Sequence, residues 1–164
     1  MAKIKSFDPV IDDETQIIIL GTMPGEKSLK KGEYYADPKN QMWKILSEVF
    51  GSDFVNSTYQ TKLALLKKHK VGLWDVIHEC ERVGSLDQNI LEYVPSDLKT
   101  LISRYPELKT IGFNGANPHK LYIKLVKEEL PLRFVILDST SSAHAKKSLK
   151  EKAEGWKQLI ATKK

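Results

Sequence analysis

The residues between Gln16 and Trp43, QIIILGTMPGEKSLKKGEYYADPKNQMW, carry groups suited to holding a flat polar ligand. Gly21-Thr22-Met23-Pro24-Gly25 packs two glycines and a proline into five positions. Glycine permits positive φ and close backbone approach, and proline stiffens the turn. Two adjacent rings follow at Tyr34 and Tyr35, then a carboxamide at Asn40. Backbone N–H groups, aromatic faces and an amide bind by hydrogen bonding and stacking. Read by itself, Asn40 is a polar residue in the first turn of a helix with no catalytic duty.

The elements that must position these groups are legible around them. Ile17 to Leu20 is an unbroken apolar, β-favouring run, the pattern of a strand buried on both faces of a parallel sheet. Loops at the carboxyl ends of such strands bind ligands. Asp37-Pro38 has an N-cap then N1 signature, which predicts a helix carrying Asn40 in its first turn. One competing reading is a nucleotide-triphosphate loop, GTMPGEKS, with Val135 to Asp138 as an acidic partner strand. Its spacing fails: three residues separate the glycines where four are needed, Glu26 splits Gly25 from Lys27, and Gly32 interrupts the expected helix.

Gly21-x-x-Pro24-Gly25 followed by Tyr34-Tyr35-Ala36-x-Pro38-x-Asn40-x-x-Trp43 resembles the first motif of the uracil-DNA glycosylase superfamily, specifically its hypoxanthine-DNA (deoxyinosine) glycosylase branch. Most other branches place a catalytic Asn or Asp inside the Gly-Pro-Gly loop, where this chain has Thr22 and Met23. In the resembling branch the catalytic amide maps onto Asn40. The resemblance continues through Val71 to Ile77, Arg82 with Gly84-Ser85-Leu86-Asp87, Phe113-Asn114-Gly115 and the Ser-rich loop after the last strand, covering Ile17 to Trp156. It implies that Gly21, Thr22, Met23, Pro24 and Gly25 form the base pocket with Tyr34 or Tyr35 stacking on the base.

Asp75 has two readings: as an ionised carboxylate accepting a hydrogen bond from a ring N–H of an extruded base, or as a partner of Arg82 or a turn cap. Asn114 lines the pocket or serves only the Asn-Gly turn. In the last loop, Ser139, Thr140, Ser141 and Ser142 offer small hydroxyls for the DNA backbone. The branch usually reads Leu-Pro-Ser-Thr-Ser-Pro-Ala-Asn there, whereas this chain has Asp138, Ser142 and His144 at the prolines and the asparagine. Those departures put a carboxylate near phosphates and leave substrate preference open. His144 either bonds the leaving base or a phosphate, or is a solvated surface residue.

Composition sets the class. A chain of 164 residues with 41% hydrophobic and 29% charged residues fits one soluble domain, residues 1–164, able to bury roughly 70% of its unfolded surface. Cys80 is the lone cysteine, which excludes an internal disulfide and any Cys-ligated cluster. His69, His78 and His119 lack metal-ligand spacing, so neither metal nor other cofactor is expected. With no signal-peptide core and no membrane-length apolar run, the expectation is a cytoplasmic, nucleoid-associated monomer. A net charge of +5 suits a polyanion. Lys27, Lys30, Lys31 and Lys39 flank the first motif and Lys146 and Lys147 follow the last; Lys27 and Lys146 are the candidates for phosphate contact. Lysines after position 150 read as a solvated helix face.

The helix opened at Asp37-Pro38 continues through Met42, Trp43, Leu46, Val49 and Phe50 to a stop at Gly51; the remaining elements are a helix opening at Ser57, a strand Val71 to Ile77, a helix Pro95 to Tyr105, a strand Thr110 to Asn114, a helix capped at Asn117-Pro118, a strand Arg133 to Leu137 and a helix from about Ala145. Their alternation predicts a three-layer α/β/α fold around a parallel sheet with right-handed crossovers. The resemblance adds four strands in the order 2-1-3-4. The activity it implies is hydrolysis of the N-glycosidic bond of a flipped, deaminated base, hypoxanthine first, in double- or single-stranded DNA. No lysine occupies a position for a Schiff base, so lyase activity is not expected. Alternatives are a uracil or G·T/G·U mismatch glycosylase, a lesion binder that does not cut, or the P-loop nucleotide-binding protein.

Overall fold

The computed structural model describes residues 3–127 and 130–161. After β1 (Lys3–Lys5), the apolar run becomes β2 (Ile17–Gly21), followed by α1 (Glu26–Lys31), α2 (Met42–Phe50), α3 (Tyr59–Lys68) and β3 (Val71–Asp75). Then come β4 (Ile77–Arg82), β5 (Ile90–Pro95), α4 (Leu98–Arg104), β6 (Thr110–Asn114), α5 (Ala116–Leu125), β7 (Arg133–Leu137) and α6 (Leu149–Trp156). The main sheet is parallel in the order β3-β2-β6-β7, the 2-1-3-4 arrangement of the four strands named above.

Residue alternation along these strands sorts the core into two layers. Ile19, Leu73, Val135 and Leu137 pack under α2, α3 and α6 around Trp156, while Ile18, Leu20, Ile111 and Phe113 pack under α4 and α5 around Tyr122. The register pairs Gly21 with Asp75 and Asn114 with Leu137. By the same alternation Gly21, Asp75 and Asn114, at the carboxyl ends, fall on the α2/α6 side of the sheet.

The structure corrects several boundaries. The strand beginning at Val71 ends at Asp75, and the chain turns away into β4 of a second sheet, antiparallel β1-β4-β5, which the sequence did not announce. Its strands are short and lie off the core: only Ile77, Cys80 and Arg82 of IHECER are buried, and the more apolar ILEYVP buries none of its residues, so neither reads as a buried strand. Pro95 therefore closes β5, and α4 waits for its Asp97 cap. Asp37-Pro38 opens a turn, with Asn40 N–H donating to Asp37 O at 2.9 Å and Lys39 N–H to the Asp37 carboxylate; the helix begins only at Met42. A helix does follow the Gly-Pro-Gly turn, but it lasts six residues before Gly32 ends it at φ 69°. Thr58, not Ser57, caps α3. Gly115 precedes α5 with Pro118 inside its first turn, and the last helix starts at Leu149 behind a Ser148/Glu151 capping box.

Candidate active site

At the carboxyl edge of the parallel sheet lies a crevice of about 210 Å³, lined by the Gly21–Gly25 turn, Tyr34, Tyr35, Asn40, Asp75, Asn114, Ser139, Ser141 and His144. At roughly 30 Å³ per water it would hold about seven waters, the scale of one nucleobase.

The turn forms one wall. The carbonyls of Gly21 and Thr22 accept from the N–H groups of Val76 and Ile77, at 2.8 and 3.1 Å, and Pro24 O accepts from Arg82 Nη2 at 2.6 Å. A trans peptide sets each N–H opposite the preceding carbonyl, so the N–H groups of Thr22, Met23 and Gly25 emerge on the other edge of the turn. Met23 is buried against Ile77 and Cys80. Arg82 also donates from Nε to Gly84 O at 2.7 Å, so this buried guanidinium props the turn; among the described residues it forms no ion pair with Asp75, the pairing that was one reading of the sequence. Its Nη1 is buried without a partner.

The two tyrosines have different surroundings. Tyr34 is buried edge-on to Phe7 inside the core, its hydroxyl without a hydrogen bond. Tyr35 is half-buried and adopts φ 53°, a left-handed conformation unusual for a bulky residue. Its hydroxyl receives a hydrogen bond from Asn114 Nδ2 at 3.3 Å, and its carbonyl one from Trp43 Nε1 at 3.0 Å. Burial, first, and then the nearby Asp75 hold both phenols well above their usual pKa, so both stay protonated. Gly21 makes the close packing feasible: a Cβ there would lie 2.8 Å from Asp75 Oδ1 and 3.1 Å from the Tyr35 hydroxyl.

Asp75 lies on the floor, 3% exposed, with Oδ2 unpartnered. Burial, and next the neighbouring Asp87, push its carboxyl up to about 8, with Arg82 pulling the other way. That displacement favours the neutral acid over an ionised acceptor at neutral pH. Asp87 is a lining residue that sequence reading passed over, although the phrase Gly84-Ser85-Leu86-Asp87 contained it. Burial raises its pKa too, opposed by hydrogen bonds from Thr22 and Asn117 and by Arg82 and His144. Ser85, from the same phrase, accepts the Glu26 N–H at 2.9 Å and so seats the start of α1.

Asn40 sits in the crevice wall just before α2, its Oδ1 accepting the Met42 N–H at 2.9 Å. That bond fixes the carboxamide while leaving its Nδ2 and the second Oδ1 lone pair for other partners. Asn114 joins the turn side to the closing loop: besides Tyr35, its Nδ2 donates to Thr140 Oγ1 at 3.0 Å and its Oδ1 accepts from Thr140 N–H at 2.9 Å.

Thr140 corrects an expectation. It is fully buried, and its carbonyl accepts from Gln41 N–H at 2.9 Å, so it holds the loop and cannot itself reach a DNA phosphate. Ser139 and Ser141 line the crevice and accept from Ser141 and Ala143 N–H groups; Ser142 and His144 are exposed at the tip. Lys152 is a second correction. It is 2% exposed, and its ammonium donates to His144 O at 2.6 Å and Gln41 Oε1 at 2.9 Å, tying the loop to α2 instead of facing solvent. Burial lowers its pKa, against the pull of Asp138. The Asp138 carboxylate pairs with Lys147 at 3.1 Å, and its carbonyl accepts from Trp156 Nε1 at 2.8 Å. Lys27 stands at the crevice mouth 3.7 Å from Asp37, and Lys146 borders an adjoining groove behind His144. Among the described residues, no cluster of three or more His, Cys, Asp or Glu could hold a metal ion, and no helix is long and apolar enough to cross a membrane.

The family model described as the uracil DNA glycosylase superfamily matches residues 9–160. The chain belongs to the uracil DNA glycosylase superfamily. Within it, the chain is 36% identical over 154 residues to a protein of Methanosarcina barkeri named hypoxanthine DNA glycosylase, covering 94% of this chain and 96% of that one. A second protein of that name, from Methanosarcina acetivorans, is 36% identical over 111 residues, 68% of this chain and 70% of its own length. The solution NMR structure of a Methanosarcina acetivorans protein described provisionally as a uracil DNA glycosylase superposes with a TM-score of 0.83 at 30% identity, covering 98% of this chain and all of that one. The superfamily fold expected from the motifs is thus present.

Proposed function

We propose that this chain is a monofunctional DNA glycosylase, a single domain acting as a monomer on DNA in the cytoplasm, that hydrolyses the N-glycosidic bond of a deaminated base, with hypoxanthine the preferred substrate. The observation that carries this reading is one nucleobase-sized crevice in which the Gly21–Gly25 turn, Tyr35 and the Asn40 amide share a lining. The names of its two relatives favour hypoxanthine within that class.

A base stacked in a duplex is out of reach and must be flipped into the crevice; damaged or mismatched pairs open at lower cost, which contributes selectivity. Bond breaking leaves positive charge on the sugar and negative charge on the departing base. N–H groups of the turn hydrogen-bond the base, and Tyr35 meets its ring. Asn40 orients a water toward the sugar; because the cation-like sugar is already electrophilic, positioning matters more than basicity. The buried Lys152 is engaged with Gln41 and His144 O, which favours hydrolysis over lyase chemistry. Ser141, Ser142, Lys27 and Lys146 meet the DNA backbone at the rim, and His144 reaches toward the base from the mouth.

The deciding assay is base release, without added metal, from duplex and single-stranded substrates carrying one inosine, uracil, xanthine or G·T mismatch. Hypoxanthine should leave fastest. Faster uracil or thymine release reassigns the substrate, and tight lesion binding with no release makes the chain a recognition protein. Asn40→Ala should abolish release while keeping DNA affinity, losing about 1 kcal/mol of stability with the Met42 cap. Full activity in the folded variant would take Asn40 out of the mechanism.

A further inference from the structure

On the glycosylase reading above, we propose that Asp75 works as a neutral carboxylic acid, its O–H donating to the oxo oxygen of the flipped base and its carbonyl accepting from the adjacent ring N–H. The floor of the crevice carries this assignment by geometry. Oδ2 is buried in the crevice lining with no protein partner. Arg82, whose charge acts on Asp75, has Nε and Nη2 engaged with Gly84 O and Pro24 O and its Nη1 buried without a partner. The other groups facing Asp75 are Asp87, a like charge, and the hydroxyl groups of Tyr34 and Tyr35, which stay protonated. Two neighbouring buried carboxyls oppose each other's ionisation, and the more deeply buried one keeps its proton although the Arg82 charge pulls both the other way. The upward displacement of Asp75 to about 8 agrees with that placement.

A neutral acid is both donor and acceptor, which matches a base with an oxo group beside a ring N–H. Hypoxanthine, xanthine and uracil share that edge. The arrangement also favours departure. As the glycosidic electron pair moves onto the base, its oxo oxygen becomes a stronger acceptor, so the bond from Asp75 strengthens toward the transition state. The proton stays on Asp75 throughout. An ionised carboxylate in the same place would repel the departing anion.

The test is single-turnover hypoxanthine release between about pH 6 and 10 for wild type, Asp75→Asn and Asp75→Ala, with carboxyl-carbon NMR titration of the aspartates. Wild-type rates should fall about tenfold per pH unit above the Asp75 titration. Asp75→Asn keeps both a donor and an acceptor, so it should stay within about tenfold of wild type at neutral pH and lose that alkaline limb, which separates the enzyme's titration from the substrate's own. Asp75→Ala should lose roughly 100-fold. Wild-type rates that rise or stay flat with pH overturn the proposal, as does an alkaline limb at an unchanged pH in Asp75→Asn. So does an Asp75 carboxyl titrating in the ordinary carboxylate range. Failure to release any base would sink the glycosylase reading, whereas the NMR titration judges Asp75 without reference to activity.

Discussion

The two walls of the crevice are built on opposite principles. The Gly21–Pro24 wall is buried, with carbonyls engaged by Val76, Ile77 and Arg82. The closing loop is fixed at its stem, where Asn114, Gln41, Lys152 and Trp156 grip Thr140, His144 O and Asp138 O, while Ser142, Ala143 and His144 stand exposed. A wall that must present backbone donors to a leaving group gains from having no freedom. A wall that must follow a DNA backbone gains from an anchored base and an adaptable tip. On the glycosylase reading, chemistry and DNA engagement fall to a buried wall and to one with an exposed tip.

Substitutions in the supports should separate the two walls. Arg82→Met removes the prop beneath the turn and leaves Pro24 O and Gly84 O without their donor. It should lower stability by about 2–3 kcal/mol and base release by roughly 100-fold, read by thermal melting and single-turnover kinetics. Near-normal turnover would show that the first wall does not depend on its prop. Asn114→Ala cuts the tie between the walls and should cost about 1–2 kcal/mol and roughly tenfold in turnover, with DNA affinity falling alongside; an effect on turnover alone would place Asn114 with the buried wall only.

Third in size is the pH dependence of stability. Asp75 has its folded pKa raised from 3.8 to about 8. The stability it contributes is fully present below the unfolded value and is lost as pH rises through the folded one, because between the two the unfolded chain ionises while the folded chain keeps its proton. Asp75→Asn should therefore melt higher than wild type at pH 9 by about 2 °C or more, with the gap closing at pH 4; a gap that is constant with pH would refute this. Smallest is Ser142→Ala at the exposed tip. It should leave stability within about 0.5 kcal/mol and weaken DNA binding a few-fold, measured by titration against inosine duplex. A large loss of stability would mean that the tip is no freer than the stem.

Legibility followed the same division. The apolar runs at Ile17, Thr110 and Arg133 announced the parallel sheet, and the Gly/Pro turn announced the first wall. What supports that wall was not readable, because Arg82 ends a strand of the small sheet and Asp87 sits in the connection after it, and the strands of that sheet bury too few residues to give a periodic signal. Sequence could not show that Thr140 turns inward, since a hydroxyl suits a phosphate and a buried amide equally well. Nor did Lys152 look different from its solvated neighbours on the helix; only the approach of the His144 carbonyl and Gln41 draws it in. Asp75 was visible as an acid at a strand's end, but its charge state depends on burial and on Asp87, which no local pattern encodes.

The Lys147–Asp138 pair bears on how the protein should respond to ionic strength. Each lysine that neutralises a phosphate releases a condensed counterion and steepens the fall of affinity with salt. Lys147 already faces a carboxylate at 3.1 Å, and Lys27 stands 3.7 Å from Asp37, so neither delivers a full positive charge to a strand laid across the rim. The salt slope of DNA binding should accordingly be shallower than a census of rim lysines suggests, and Asp138→Asn, by releasing Lys147, should steepen it by up to about one.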